Sequence, residues 1–75
     1  MENELKTKQE IGFKIRRARE YKGYSQSQLA LALGYTHPGA DAYIRKFESG
    51  RTYPPLERIR QLHEILGIDY EDLIP

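Results

Sequence analysis

Nitrogen donors dominate the side chains of this sequence that could do chemistry. Lys14, Arg16, Arg17, Arg19 and Lys22 fall close together against a single acid, Glu20, and Arg45, Lys46, Arg51 and Thr52 form a second donor-rich stretch. Ammonium, guanidinium and hydroxyl groups of this kind bind anionic oxygens. Glu64 to Asp72, in contrast, holds four acids and no base. If the two charge blocks separate in space, one surface is positive enough to draw in phosphate although the whole chain of 75 residues carries only +1. An ordinary solvated helix face is the alternative for the basic block.

Catalysis is disfavoured: no serine, histidine and acid stand at a recognisable spacing, no glycine-rich phosphate loop is present, and a chain this short has no room for a deep pocket. With no cysteine, neither a disulfide framework nor a thiolate metal site can form, and His37 and His63 are too far apart in sequence to make a zinc cage alone. No metal or cofactor is expected. His37 is read first as a turn residue, ahead of a phosphate donor or a pH-responsive contact, and His63 as a partly buried or surface side chain rather than a switch. Met1 to Glu10 is polar, without the apolar stretch of a signal peptide, and no apolar run is long enough to span a bilayer. A soluble cytoplasmic protein is expected.

Helices must position these donors. Ile11, Ile15 and Ala18 recur at spacings of four and three, the stripe of an amphipathic helix from about Lys8 to Lys22. Thr7 and Glu10 make a capping box at its start, and Gly23 stops it. Ser25 and Gln28 repeat the capping pattern before a short helix, Gln26 to Leu33, whose Leu29, Ala32 and Leu33 face a core and which Gly34 ends. Ala40, Ile44 and Phe47 mark a third helix closed by Gly50. Pro54 and Pro55 lead into a fourth with a Leu56, Ile59, Leu62 and Leu66 stripe, ended by Gly67, and Asp69 to Ile74 adds a last short turn. Nothing alternates with period two, so the chain reads as all-α, with an N-terminal segment 1–7 expected to be flexible and one domain over 8–75.

Two short helices joined around Gly34, the second lying between a basic helix and a Gly-Arg-Thr loop, form an arrangement that can push one helix into a DNA groove. Ser25-Gln26-Ser27-Gln28-Leu29-Ala30, Gly34-Tyr35, Ile44-Arg45-Lys46-Phe47-Glu48-Ser49-Gly50, Pro54 and Leu66-Gly67-Ile68 occur in the order of a known pattern. The chain resembles the Cro/C1-type (XRE-like) helix-turn-helix family over about Ile11 to Ile74, nearly its whole length.

That resemblance implies a compact five-helix, lambda-repressor-like domain whose helices two and three are the helix-turn-helix, and a transcriptional regulator, most simply a repressor, that reads double-stranded DNA. Projected at about 100° per residue, helix three sends Ala42, Arg45, Lys46 and Ser49 away from its apolar side. Lys46 and Arg45 suit guanine O6 and N7 or a phosphate, and the Ala42 methyl suits a thymine methyl. Gln26, with Ser25 beside it at the start of helix two, is implied to grip phosphates, as are Ser49, Arg51 and Thr52. Arg19 and Glu48 match a family ion pair that would turn Arg19 toward a phosphate. Arg16 and Arg17 add longer-range attraction, and Arg58 and Arg60 read as solvated side chains that keep the domain soluble.

The chain departs from the family between Gly34 and Ile44, where its nine residues are roughly one helical turn more than the pattern. Either helix three begins early, with Thr36 as cap and Pro38 in its first turn, or His37-Pro38-Gly39 makes a longer loop, which is preferred. Thr36, His37 and Gly39 are therefore possible rather than assigned DNA contacts. Asp41 either accepts from a cytosine amine or, by preference, stabilises the positive start of helix three.

One short helix reads few bases, so a homodimer on a palindromic operator with half-sites about 34 Å apart is expected. Ile68, Tyr70, Leu73 and Ile74 are candidates for its interface, and closure of a small core is the competing role for the same residues. The rival function is a protein-interaction module of the same fold, such as an antitoxin or anti-repressor. Clustering of Tyr24, Tyr35, Tyr43 and Tyr53 beside helix three would favour it, because tyrosines favour interfaces.

Overall fold

The computed structural model describes residues 6–75. Residues 1–5, most of the N-terminal segment expected to be flexible, lie outside the described residues. Thr7 is already the cap of the first helix: its Oγ1 accepts from the Glu10 amide at 3.1 Å while Glu10 Oε1 accepts from the Thr7 amide at 2.8 Å. The described residues form α1 (Lys8–Lys22), α2 (Gln26–Ala32), α3 (Asp41–Glu48), α4 (Leu56–Leu66) and a single 3-10 turn, Tyr70–Asp72, with no strand among them. Ser25 and Gln28 cap α2 by the same reciprocal bonds, at 3.0 and 2.7 Å, and Leu33, expected inside this helix, is its C-cap.

A fifth α-helix is not formed. The chain turns through two three-residue bonds, Asp72 N to Asp69 O and Leu73 N to Tyr70 O, both at 2.9 Å. Leu73 then drops into the core, and Pro75 has no N–H with which to continue the ladder.

The added residues before α3 form a turn rather than a helical extension. Gly39 sits at φ +80°, outside the helical range, so α3 cannot run through Pro38 and starts at Asp41, with Ala40 as its N-cap. The turn is held from two sides. The Tyr35 ring stacks on Tyr43 of α3 (centroids 4.3 Å apart, 6° between planes), His37 meets both rings edge-on, and the Arg58 guanidinium of α4 lies 4.4 Å from the Tyr35 centroid. Arg58 Nη1 also donates to Gln61 Oε1 at 2.7 Å, and Gln61 Nε2 donates to the Leu33 carbonyl at 3.2 Å. Arg58 is thus half-buried in a buttress under the α2–α3 connection and not the solvated side chain expected; Arg60 is exposed, near Glu64.

Ile11 and Ile15 of α1, Leu29 and Leu33 from α2, Ile44 and Phe47 of α3 and Ile59, Leu62 and Leu66 of α4 meet in one core, closed by Ile68 and Leu73. Ile68 and Leu73, offered from sequence as dimer-interface residues, are 7% and 0% exposed: their apolar area is spent inside the monomer, and only Tyr70 and Ile74 of that set remain at the surface. Helix α3 packs on both α1 and α2. Its approach to α1 depends on Gly12, where an added Cβ would lie 2.7 Å from the Glu48 carbonyl oxygen and closer still to that of Phe47.

Candidate nucleic-acid interface

One carboxylate ties three helices together. Arg19 of α1 donates from Nε to Glu48 Oε2 at 2.6 Å and from Nη2 to Glu48 Oε1 at 3.2 Å, while its Nη1 donates to the Tyr24 carbonyl at 2.9 Å. Gln26, the first residue of α2, donates from Nε2 to the same Glu48 Oε1 at 3.1 Å. The Arg19 and Glu48 side chains are 11% and 5% exposed, and the hydrogen bond to Glu48 raises the Arg19 pKa above its ordinary value against the opposing effect of burial. These bonds fix the C-terminal end of α3 against α1 and the start of α2.

From that anchor α3 presents its outer side. Ala42, Arg45, Lys46 and Ser49 line one shallow depression with Arg51 from the following loop. An adjoining depression is lined by Arg16, Arg19, Gln26, Arg45, Glu48 and Ser49, so Arg45 and Ser49 border both. Arg45 and Lys46 are exposed. Arg45 is paired through Nη1 with Asp41 Oδ2, one turn back on the same helix, and Ser49 Oγ donates to the Lys46 carbonyl at 3.3 Å. This surface is basic, open and shallow, with donors at its middle, a form that suits a polyanion and not a small buried substrate.

The basic block of α1 divides between two sides. Arg16 and Arg19 border the α3 surface, whereas Lys14 and Arg17 line a groove shared with Asp69 and Asp72, where Lys14 Nζ lies 3.8 Å from Asp72 Oδ1. The acidic C-terminal stretch thus folds back beside half of the basic block instead of separating from it, and the Arg17 guanidinium rests 5.5 Å from the Phe13 ring centroid, away from α3.

Over residues 15–73 the sequence matches the helix-turn-helix family. The chain belongs to the Cro/C1-type helix-turn-helix family. It is 35% identical over 64 residues to the SPbeta prophage-derived uncharacterized HTH-type transcriptional regulator YonR of Bacillus subtilis (strain 168), an alignment covering 85% of this chain and 56% of that protein. The chain therefore spans little more than half the length of this relative. No solved structure matches it.

Within this family member the remaining sequence-derived site residues are distributed as follows. Thr52 lines a third depression with Tyr35, Tyr43, Lys46, Phe47, Tyr53 and Pro55, and Thr36, His37 and Gly39 are exposed on the turn ahead of α3. Ser25 lies next to Gln26 with its hydroxyl accepting the capping bond. The tyrosines divide: Tyr35, Tyr43 and Tyr53 border one depression beside α3, while Tyr24 packs against the core. His63 is half-buried, its Nδ1 2.8 Å from the Ile68 carbonyl and its ring stacked on Tyr70 at 4.0 Å.

Sequence reasoning missed two features of the site. The Asp41–Arg45 pair was legible as an acid followed four residues later by an arginine. The bond from Gln26 to Glu48 had no local signal, since it joins residues 22 positions apart.

Proposed function

We propose that this chain binds double-stranded DNA sequence-specifically through the outer side of α3 and acts as a transcriptional regulator inside the cell, most simply a repressor. The observation that carries this reading is the set of Ala42, Arg45, Lys46, Ser49 and Arg51 on one open surface, behind which Glu48 clamps α3 to Arg19 and Gln26. Ala42, Arg45 and Lys46 take the base edges; Ser25, Gln26, Ser49, Arg51 and Thr52 take the backbone. Gln26 is poised for this role by its bond to Glu48, which sets its amide at the start of α2. Arg19 serves first as the strut of Glu48 and offers its remaining N–H groups to a phosphate. Thr36, His37 and Gly39 lie on the turn next to the reading helix and extend its footprint.

A homodimer on a palindromic site supplies the discrimination that one eight-residue helix lacks. Its interface draws on the exposed members of the C-terminal apolar set, Tyr70 and Ile74.

A second reading, a protein-interaction module of the same fold, is favoured by one observation: Tyr35, Tyr43 and Tyr53 gather in a depression beside α3. Selection of bound duplexes from a random pool separates the two. Enrichment of a palindromic motif supports DNA reading, whereas weak, salt-sensitive, motif-free binding supports the protein partner.

A further inference from the structure

We propose that Asp41 is the specificity-determining positioning residue of the interface, holding Arg45 for a base edge and rejecting binding to phosphates alone. The inference rests on the DNA reading proposed above. Its observation is the ion pair between Asp41 Oδ2 and Arg45 Nη1 on the outer side of α3.

The placement of charge on this side is unequal. Three carboxylates lie near the reading surface: Glu48 is spent on Arg19 and Gln26 in a nearly buried network, Glu20 pairs with Arg16 at 3.2 Å and lies 3.9 Å from Arg19 on α1, and Asp41 pairs with Arg45 on α3 itself. Asp41 is bonded to one arm of one exposed guanidinium, with side chains 31% and 56% exposed for Asp41 and Arg45. An anionic carboxylate beside a phosphate-binding surface repels a duplex that offers only its backbone. That repulsion is offset where a base edge accepts from the guanidinium it holds.

Arginine suits this arrangement because its fork is planar and rigid. With Nη1 tethered to Asp41, the fork cannot swing freely toward the nearest phosphate, and its free N–H groups are kept for a paired acceptor such as guanine O6 and N7. The second oxygen of Asp41 is free to accept from the exocyclic amine of a neighbouring cytosine. Asp41 also lies in the first turn of α3, where a carboxylate favours the positive helix end. That effect stabilises the helix but has no preference among DNA sequences, and so the two roles separate experimentally.

The test is fluorescence anisotropy of the wild type, D41N, D41E, R45A and the D41N/R45A double variant. Each binds the duplex selected by the wild type and a scrambled duplex of equal length and composition, at several salt concentrations, with melting temperatures recorded alongside. The expected result is that D41N binds scrambled DNA more tightly and loses about tenfold in the ratio of selected to scrambled affinity, the worth of one base contact. D41E keeps the charge and hence the rejection of scrambled DNA. In the R45A background, D41N changes the ratio by less than about twofold, as expected when the second residue acts through the first. A D41N ratio within about twofold of wild type, or an equal loss with and without Arg45, overturns the role of Asp41. A wild type that does not distinguish the two duplexes overturns the DNA reading itself, and the role of Asp41 with it.

Discussion

Arg19 and Glu48 meet in a two-point contact between α1 and α3, Nε to Oε2 at 2.6 Å and Nη2 to Oε1 at 3.2 Å. Because Glu48 is 5% exposed in its side chain, removing its partner leaves a nearly buried charge uncompensated. Arg19→Ala is expected to destabilise the fold by about 3–5 kcal/mol in denaturant unfolding. Glu48→Gln keeps an acceptor for Arg19 but loses the charge, at about 1.5–3 kcal/mol. A pair of apolar replacements, Arg19→Met with Glu48→Leu, should recover much of the loss in stability while leaving Gln26 without its partner.

Gly12 permits the crossing of α1 and α3. Alanine there gains up to about 1 kcal/mol of helix propensity, yet its Cβ would meet the backbone carbonyls of Phe47 and Glu48, which cannot swing aside as a side chain end can. Overpacking of this kind costs about 1–3 kcal/mol or more. Gly12→Ala is therefore expected to lower the denaturation midpoint, the reverse of what its position inside a helix would suggest.

The turn ahead of α3 depends on the layered contact of Arg58, Tyr35 and Tyr43. Losing the ring stack in Tyr35→Ala removes about 0.5–1.5 kcal/mol beyond the area it buries. Arg58→Ala removes about 0.5–1 kcal/mol from the cation over the ring, together with the bond to Gln61. Amide hydrogen exchange should speed up selectively over residues 36–40 in both variants, with α1 unchanged.

On DNA, Lys46→Ala should cost about 1–3 kcal/mol and relax preference at one base pair. Arg51→Ala should weaken all sequences alike and reduce the slope of log K against log salt by about 0.9. Gln26→Ala should also weaken all sequences alike, but with little change of salt slope because the side chain is neutral. Filter binding across a salt series distinguishes the three.

Local signals carried most of the fold. Thr7 with Glu10 and Ser25 with Gln28 are capping boxes readable from their spacing, and both form. Of the stripes read from period, Ile11, Ile15, Ile59, Leu62 and Leu66 are buried and Ala18 is half-buried, but Leu56 at the start of α4 is 80% exposed, and in α2 it is Ala30 and not Ala32 that joins Leu29 and Leu33 in the core. What sequence could not supply were distances between segments. Ile68 and Leu73 are apolar residues near the end of the chain, and pattern alone does not say whether they close a core or cover a partner. Arg58 carries no mark of the ring it covers, because Tyr35 lies on another element, and a glycine inside α1 gives no hint that the backbone of α3 lies against it. The outer side of α3 was legible as a helical projection, but the pairing of the basic block with Asp72 was not, since it follows from how the C-terminal turn folds back.

The most direct measurement of DNA reading by α3 is a titration of the 15N-labelled protein with its selected duplex, followed by backbone amide shifts. Perturbations concentrated at Ser25–Gln28, Ala42–Ser49 and Arg51–Thr52, with α4 little changed beyond Arg58, which covers the Tyr35 ring, are the predicted result. Perturbations absent from α3 and centred elsewhere, or no saturable shift at any duplex concentration, would contradict it.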